Sequence, residues 1–320
     1  MAKSWTSSSP SRRPKHPPAP PPLSTPAPEP LFVAGRGNLG RTLATAFNAA
    51  GHPALLTPAR RGLPGLVRSL ESLPNAMVFL AVPDDALLPF AGRLADEGGR
   101  IPRTVAFVHL SGAQQLNALD PLRAKHAIGS FHPLQSFPEP RPPDSLLGAV
   151  VGVDGSTPAL LRRLTRLARA VGARPKHVSD SQRALYHAAA VFASNYVDVL
   201  LATAVKLLQL AGWSEKEAIA GLLPLTEGVL TTVRKRGPVG ALTGPVRRGD
   251  VKTVERHVSA LAELTGSAGA SSGPLMVDQY RMLGLIALEI AMEAGLEPAA
   301  AERMQRALTQ KAATRRRRRL

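Results

Sequence analysis

The stretch LFVAGRGNLGRTLATAFNAAG, residues 31–51, constrains the fold more than any other part of the chain. A short apolar run precedes three glycines, and an Ala/Leu-rich segment with helical spacing follows them. Gly35, Gly37 and Gly40 fit the pattern G-x-G-x-x-G, in which the first glycine permits a tight turn, the second lets the backbone approach a diphosphate and the third lets helix and strand pack closely. A glycine turn without a ligand is the alternative.

Strand-like and helix-like runs alternate after this loop as far as residue 178. The run AMVFLAV, residues 76–82, is entirely apolar, as in the centre of a parallel sheet. Beyond Ser179 only long helical stretches follow, at roughly 180–211, 214–236, 251–265, 275–294 and 297–313. The pattern predicts an α/β domain with a Rossmann-type doubly wound parallel sheet over residues 31–178, and an all-helical domain over residues 179–312.

The two ends of the chain differ from this interior. Residues 1–30 are rich in Pro, Ser and Ala and predict a disordered tail, and residues 313–320 form a basic tail. The formal net charge is +17, of which residues 1–30 carry +3 and residues 311–320 carry +6. Because about half of this excess lies in the tails, we expect no specific binding of nucleic acid, only salt-dependent attraction of polyanions.

Composition excludes several classes of site. The chain has no cysteine, which removes disulfides, thiolate catalysis and Cys-rich zinc sites, and we predict no metal site. The longest mostly apolar segment, Ala188–Leu210, contains Asn195, Asp198 and Lys206 and is interpreted as a buried helix and not as a membrane span. We therefore expect a cytoplasmic protein.

The glycine loop predicts a nucleotide cofactor held by residues 35–40, namely Gly35, Arg36, Gly37, Asn38, Leu39 and Gly40. An NAD site usually has an acidic residue about 20 residues downstream. No carboxylate occurs between Glu29 and Glu71, and Arg60 and Arg61 stand in that region. Guanidinium groups suit a 2′-phosphate, so we predict NADP, although these arginines are also compatible with solvated loop charges.

Several further residues fall at the expected carboxyl edge of the sheet, where open α/β folds bind ligands. Val82 and Pro83 in LAVPDDAL, and Ser111 in HLSG, are predicted to lie near the nicotinamide. His132 in SFHPLQSF is a candidate acid/base group, or part of a structured connection. His109 lies inside an apolar strand and is interpreted as a satisfied core residue.

In the first long helix of the second half, His187, Ser194, Asn195 and Asp198 have spacings that place them on roughly one face. Polar groups on an otherwise apolar helix need partners if they are buried. A substrate or a neighbouring helix would satisfy them equally well.

These motifs, together with YHAAAVFASNY and LTGPVRRGD, resemble a bacterial family of Rossmann-like proteins with a helical C-terminal domain of unknown function. That family is similar to the group containing 6-phosphogluconate dehydrogenase, pyrroline-5-carboxylate reductase and ketopantoate reductase. The resemblance covers nearly all of residues 31–310. It implies a helical domain of the 6-phosphogluconate dehydrogenase type that closes over the nicotinamide and forms a homodimer.

The chain departs from the hydroxyacid and ketopantoate enzymes, which carry Lys-x-x-x-Asn on this helix. Matching Asn195 to the Asn places Val191 at the lysine position, and a valine cannot transfer a proton. His132 or His187 would take that role, with Asn195 orienting the substrate. The sequence thus predicts an NADP-dependent oxidoreductase that exchanges hydride with a small carbonyl or imine substrate. An NADP-binding sensor or scaffold without turnover is the alternative, and a nucleic-acid binder ranks last.

Overall fold

The structure is a computed structural model that describes residues 29–264 and 273–310, apart from the side chains of Arg60 and Pro274. Both predicted tails lie outside the described residues, except for residues 29 and 30. The chain divides into two compact units, with the boundary after Val191. Each unit is described separately below.

The first unit is built on one seven-stranded sheet in the order β2-β1-β3-β4-β5-β6-β7. Its strands are β1 Leu31–Ala34, β2 Ala54–Thr57, β3 Met77–Leu80, β4 Ala106–His109, β5 Ala127–Pro133, β6 Val150–Gly155 and β7 Arg174–His177. The apolar runs of β1, β3 and β4 are buried at all four positions, as strands at the centre of a sheet covered on both faces must be. The predicted Rossmann-type fold is confirmed.

Helices cover both faces of this sheet. They are α1 Asn38–Ala49, α2 Ala59–Glu71, α3 Asp84–Glu97, α4 Asp120–Arg123, α5 Pro158–Ala170 and α6 Asp180–Ala193. One face packs with α1 and α5 around Phe47, Phe79 and Phe131, whose ring centroids lie 5.0 to 5.9 Å apart. The opposite face packs with α2 and α3.

Three details of this unit differ from the sequence prediction. The sheet is not wholly parallel, because β5 and β6 pair antiparallel while the other neighbours pair parallel. The strand β7, Arg-Pro-Lys-His, was not predicted, because three of its four side chains are exposed at the sheet edge. Helix α2 begins at Ala59 and contains Pro64, whereas the sequence pattern predicts a short helix that begins only after this proline, over Gly65–Leu73.

The second unit is helical throughout its described residues. It contains α7 Asn195–Leu210, α8 Glu215–Ala241, α9 Gly244–Arg247, α10 Val251–Leu264, α11 Gly273–Glu293 and α12 Pro298–Thr309. A small core of Val254, Val258, Leu288, Met304 and Leu308 joins α10, α11 and α12. Asp250 accepts hydrogen bonds from the amide and hydroxyl of Thr253 and so caps α10.

The expectation of a buried helix over Ala188–Leu210 is wrong. No residue of α7 is buried, and the large side chains of Tyr196, Val199 and Leu200 are 40 to 49 % exposed. The expected single helix over 180–211 is also interrupted at Ser194, whose φ of −124° and ψ of −74° separate α6 from α7. Asp180–Leu210 is nevertheless long and apolar enough, with a mean hydropathy of 1.6 over its best window, to pass for a membrane span by composition.

Candidate functional site

The glycine loop between β1 and α1 is shaped by two steric requirements. Gly35 has a φ of +132°, and a Cβ on it would collide with the carbonyl group of Ala81 at the end of β3. A Cβ on Gly40 would collide with the carbonyl oxygen of Gly35. Side chains are therefore excluded at both positions by the backbone itself. These contacts account for the first and third glycines of the motif.

Gly37 is different, because a Cβ there would meet no atom within 4 Å. Its φ of −67° is also accessible to any residue. Within the described residues nothing requires glycine at this position, so the open space beside it is suited to an approaching ligand. Gly37 is also the N-cap of α1, and no described side chain caps the helix. The first amides of α1 are thus available to an anion, which the helix dipole favours.

The side chains of Asn38 and Leu39 both contact other parts of the protein. The Asn38 side chain donates hydrogen bonds to the carbonyl oxygens of Phe137, at 3.1 Å, and Pro138, at 2.8 Å. Leu39 packs against the core. The amide of Arg141 donates to the Thr42 hydroxyl at 2.9 Å, so the connection between β5 and β6 is fixed along the first turns of α1. The amide nitrogen of the Asn38 side chain and the Leu39 side chain are therefore engaged within the protein.

A cleft of about 630 Å³ opens beside the glycine loop. Its lining comes from the carboxyl ends of three neighbouring strands and from α3, and includes Gly35, Arg36, Gly37, Pro58, Ala59, Ala81, Val82, Pro83, Ala86, Phe90 and Arg93. A depression of similar volume, about 660 Å³, lies elsewhere along α10. Because that depression is lined by a single helix, the cleft at the sheet edge is the better candidate for a ligand site.

The predicted cationic groups belong to the glycine loop and to the first turn of α2. Arg36 is exposed and lines the cleft, and its carbonyl oxygen accepts a hydrogen bond from Arg41 Nε at 2.9 Å. Arg60 and Arg61 fall in the first turn of α2, and the side chain of Arg61 is exposed. That first turn has no acidic residue and no side-chain cap. The start of α2 is therefore a second cationic helix terminus, directly after the cleft-lining Pro58 and Ala59.

Of the three residues predicted to lie near the nicotinamide, Val82 and Pro83 line the cleft. Ser111 is not among the lining residues, and its hydroxyl forms hydrogen bonds within the protein. The Ser111 hydroxyl donates to Asp84 Oδ2 at 2.8 Å and accepts hydrogen bonds from the amides of Ala113 and Gln114. Asp84 thereby joins the start of α3 to the residues that follow β4.

The two candidate acid/base histidines lie together, both within the first unit. The ring centroids of His132 and His187 are 6.3 Å apart. A Cβ on Gly112 would lie 2.7 Å from His132 Nε2 and 2.8 Å from His187 Nδ1. The absence of a side chain at Gly112 thus allows both rings to reach the same point at the end of β4. His187 Nδ1 is buried and has no hydrogen-bond partner among the described residues.

Behind this pair lies a buried network that sequence reasoning missed. Arg183 on α6 is 1 % exposed and donates to the Ser130 hydroxyl at 2.7 Å and to the Val178 carbonyl oxygen at 3.3 Å. Its charge is opposed by Asp154 Oδ2 at 3.7 Å and Asp180 Oδ1 at 3.5 Å. Asp154 also contacts His177 Nε2 at 3.1 Å. Several buried polar groups therefore meet where α6 crosses β5 and β6.

His109 is buried, as predicted, but it is not satisfied. It has no exposed surface, and neither ring nitrogen has a hydrogen-bond partner among the residues that the structure describes. Burial, and then the nearby Arg183 and His132, lower the pKa of His109 to about 3. Burial, followed by His187 and Arg183, likewise lowers the pKa of His132 to about 4. Both rings are uncharged at neutral pH.

The remaining predicted polar residues belong to the second unit. Asn195 is exposed at the first position of α7 in the second unit, and Ser194 lies at the break before it. The continuous polar face expected for residues 187–198 is therefore interrupted. In LTGPVRRGD, Arg247 donates to the Ala294 carbonyl oxygen at 2.9 Å, which gives it a role within the helical unit.

Comparison with known proteins supports the resemblance seen in the sequence. Residues 149–285 match the model of a family described as a domain of unknown function, DUF2520. The fold is similar to the crystal structure of a "putative NADP oxidoreductase" from Bacteroides fragilis, with 22 % identity, a TM-score of 0.62, and coverage of 82 % of this chain and 98 % of that one. A protein from Thermotoga maritima is similar at 21 % identity and a TM-score of 0.59, with the same coverage of 82 % and 98 %.

A more distant similarity is to pyrroline carboxylate reductase from Plasmodium falciparum, crystallised with NADP bound. It has 11 % identity and a TM-score of 0.50, and covers 88 % of this chain and 99 % of that one. No curated protein sequence matches the chain. The predicted resemblance is thus confirmed as a Rossmann-like fold with a helical C-terminal domain. At these identities the structural matches establish the fold alone.

Proposed function

We propose that this protein is an NADP-dependent oxidoreductase that exchanges hydride with a small carbonyl or imine substrate. The observation that carries the proposal is the glycine loop. Gly35 and Gly40 are required by the backbone, whereas Gly37 faces open space beside the uncapped start of α1 and a cleft of about 630 Å³. A protein that used this loop only as a turn would have no need for the second glycine. The arrangement suits a dinucleotide diphosphate.

The chain's own residues would hold the cofactor in three places. The backbone amides of residues 36–40 would bind the diphosphate. Arg60 and Arg61 at the start of α2 would contact the 2′-phosphate, a choice supported by the lack of an acidic residue in that first turn. Val82, Pro83 and Ser111 would lie near the nicotinamide, which supplies a hydride when the reduced cofactor is bound.

His132 and His187 are the proposed catalytic residues, and Asn195 would orient the substrate. The convergence of the two imidazoles on Gly112 supports this assignment. The helical unit would bind part of the substrate and form a homodimer, in keeping with the large apolar side chains exposed on α7, α8 and α11.

A partner copy is a better explanation of the exposed helix than a membrane. The candidate span Asp180–Leu210 consists of two helices, and the first of them buries Arg183 against the sheet. Helix α7 alone has 16 residues, fewer than the roughly 20 that cross a bilayer, and it includes Asp198 and Lys206. We accordingly propose a cytoplasmic homodimer.

Titration with nucleotides tests the proposed function. NADPH fluorescence and thermal-shift measurements on the full chain should show saturable binding, with NADPH binding more tightly than NADH. A subsequent screen of NADPH oxidation with aldehydes, ketones, 2-oxo acids and cyclic imines would identify the substrate class. If neither nucleotide bound at millimolar concentration, the proposal would be wrong.

A second candidate, an NADP-binding sensor without turnover, is favoured by one observation. With a pKa lowered to about 4, His132 carries no proton to donate as an imidazolium at neutral pH. The double variant His132→Ala/His187→Ala separates the two functions. An enzyme would lose NADPH oxidation and retain nucleotide binding, whereas a sensor would show no turnover to lose.

A further inference from the structure

Tyr186 is the residue that fixes the orientation of His132. Its hydroxyl lies 3.0 Å from His132 Nδ1, and the two rings meet edge to face with centroids 5.5 Å apart. Gly152 of β6 leaves room for Tyr186, because a Cβ there would approach the hydroxyl oxygen to 3.0 Å. Because Gly152 has no side chain, the Tyr186 ring can lie beside β5. The Tyr186–His132 pair is therefore built by α6, β5 and β6 together.

The distances favour one position for the Tyr186 proton. The hydroxyl has one proton and two possible acceptors, His132 Nδ1 at 3.0 Å and the His132 carbonyl oxygen at 3.4 Å. Either the hydroxyl donates to Nδ1, or Nδ1–H donates to the hydroxyl, which then donates to the carbonyl oxygen. The first arrangement has the better geometry, since 3.4 Å is long for a hydrogen bond from a hydroxyl group. If the Tyr186 hydroxyl donates its proton to Nδ1, this nitrogen must be unprotonated. In a neutral imidazole the other nitrogen, Nε2, must then carry the hydrogen.

The surrounding charges favour the same neutral ring. The titratable and charged groups on the elements packed against His132 are His109 of β4, Asp154 of β6, and Asp180, Arg183, Tyr186 and His187 of α6. Arg183 opposes a second positive charge beside it, and the partial burial of His132 weakens the solvation of an imidazolium. Asp154 and Asp180 lie 3.7 and 3.5 Å from Arg183, and neither carboxylate contacts His132 among the described residues.

We propose that Tyr186 is a positioning residue that holds His132 as a neutral Nε2–H donor, and that the site therefore binds a carbonyl or hydroxyl oxygen in preference to a protonated imine. An oxygen offers a lone pair to Nε2–H, whereas a protonated imine carries only a hydrogen on its nitrogen and would be repelled. Neutral imidazoles can polarise a carbonyl group in this way. The substrate class rests on the proposed function, whereas the state of His132 does not.

Nitrogen-15 NMR of the histidine rings in the free protein tests the state of His132. At pH 7 we expect His132 to show the Nε2–H tautomer, with a hydrogen-bonded Nδ1 acceptor. Tyr186→Phe should abolish the hydrogen-bond shift at Nδ1 and give a mixture of tautomers. The matched control is Tyr280→Phe, because Tyr280 contacts His257 Nδ1 at 2.8 Å in the second unit. It should alter His257 and leave His132 unchanged.

An Nδ1–H tautomer or an imidazolium at His132 in the wild-type protein would overturn the proposal, even if Tyr186→Phe failed to fold. The substrate class has its own readout. In the presence of NADPH we expect turnover of ketones or 2-oxo acids to exceed that of cyclic imines by about tenfold, and a preference for imines would overturn it. Failure of nucleotide binding would instead contradict the proposed function and leave the NMR result standing.

Discussion

The two units of this chain differ in how completely they bury their apolar side chains. In the sheet unit, β1, β3 and β4 are completely buried between two layers of helices. In the helical unit α7 has no buried residue, and large apolar side chains such as Leu225, Leu230 and Met282 are 56 to 67 % exposed. The first unit has a complete core of its own. The second exposes the apolar surface that usually marks an interface.

The substitution with the largest expected effect on stability lies in the sheet unit. Gly35→Ala places a methyl group against the Ala81 carbonyl in a backbone with φ of +132°. We expect the free energy of unfolding to fall by roughly 3 kcal/mol. Urea unfolding monitored by circular dichroism measures the change. Gly99→Ala, at an exposed position with open space, is the control and should change little.

The exposed face of the helical unit gives the next prediction. Val199→Glu combined with Leu230→Glu should convert a dimer into a monomer, because charges would be buried in an apolar interface. Sedimentation or light scattering reads the mass, which should drop from two chains to one. Leu88→Glu is the matched control, since Leu88 is 53 % exposed in the sheet unit. A wild-type chain that is monomeric at high concentration contradicts the proposed dimer.

The choice of nucleotide should depend on the start of α2. Arg60→Ala/Arg61→Ala removes the two charges proposed to contact the 2′-phosphate. We expect the affinity for NADPH to fall roughly tenfold to a hundredfold, with NADH little affected. Arg68→Ala, in the last turn of the same helix, controls for a general loss of positive charge. Equal losses for both nucleotides would argue against this role.

The smallest effect concerns the buried histidines of the sheet unit. In the folded protein the pKa of His109 is about 3, whereas an unfolded histidine titrates near 6.5. Above pH 6.5 both states are neutral, and as the pH falls below it only the unfolded state gains the proton. Stability is therefore lost between pH 6.5 and about 3. His109→Leu should retain about 2 kcal/mol more stability at pH 5 than the wild type, relative to pH 7, in urea unfolding.

The parts of the fold that sequence could predict are those in which one local rule decides. Fully apolar runs identify buried strands, and the glycine motif encodes the contacts of Gly35 and Gly40 with the backbone. Strand β7 was not predicted because an exposed edge strand needs no apolar pattern. The break at Ser194 was not predicted because the apolar pattern continues on both sides of it.

The candidate site was predictable only in part, for a similar reason. His132 and His187 stand out as polar residues in apolar surroundings. Tyr186, Arg183 and Gly112 depend on the packing of α6 across β5 and β6, which no local pattern encodes. The adjacency of Tyr186 and His187, and the glycine in HLSG, were the available signals.

The most direct test of the central claim uses Gly37→Glu. The structure leaves open space at this position and a φ that glutamate adopts freely, so the variant should fold like the wild type. The account predicts that its NADPH fluorescence titration loses saturable binding while its thermal unfolding without nucleotide is unchanged, and that Gly99→Glu binds normally. Unaltered NADPH affinity in folded Gly37→Glu would contradict the proposal that this loop holds the cofactor's diphosphate.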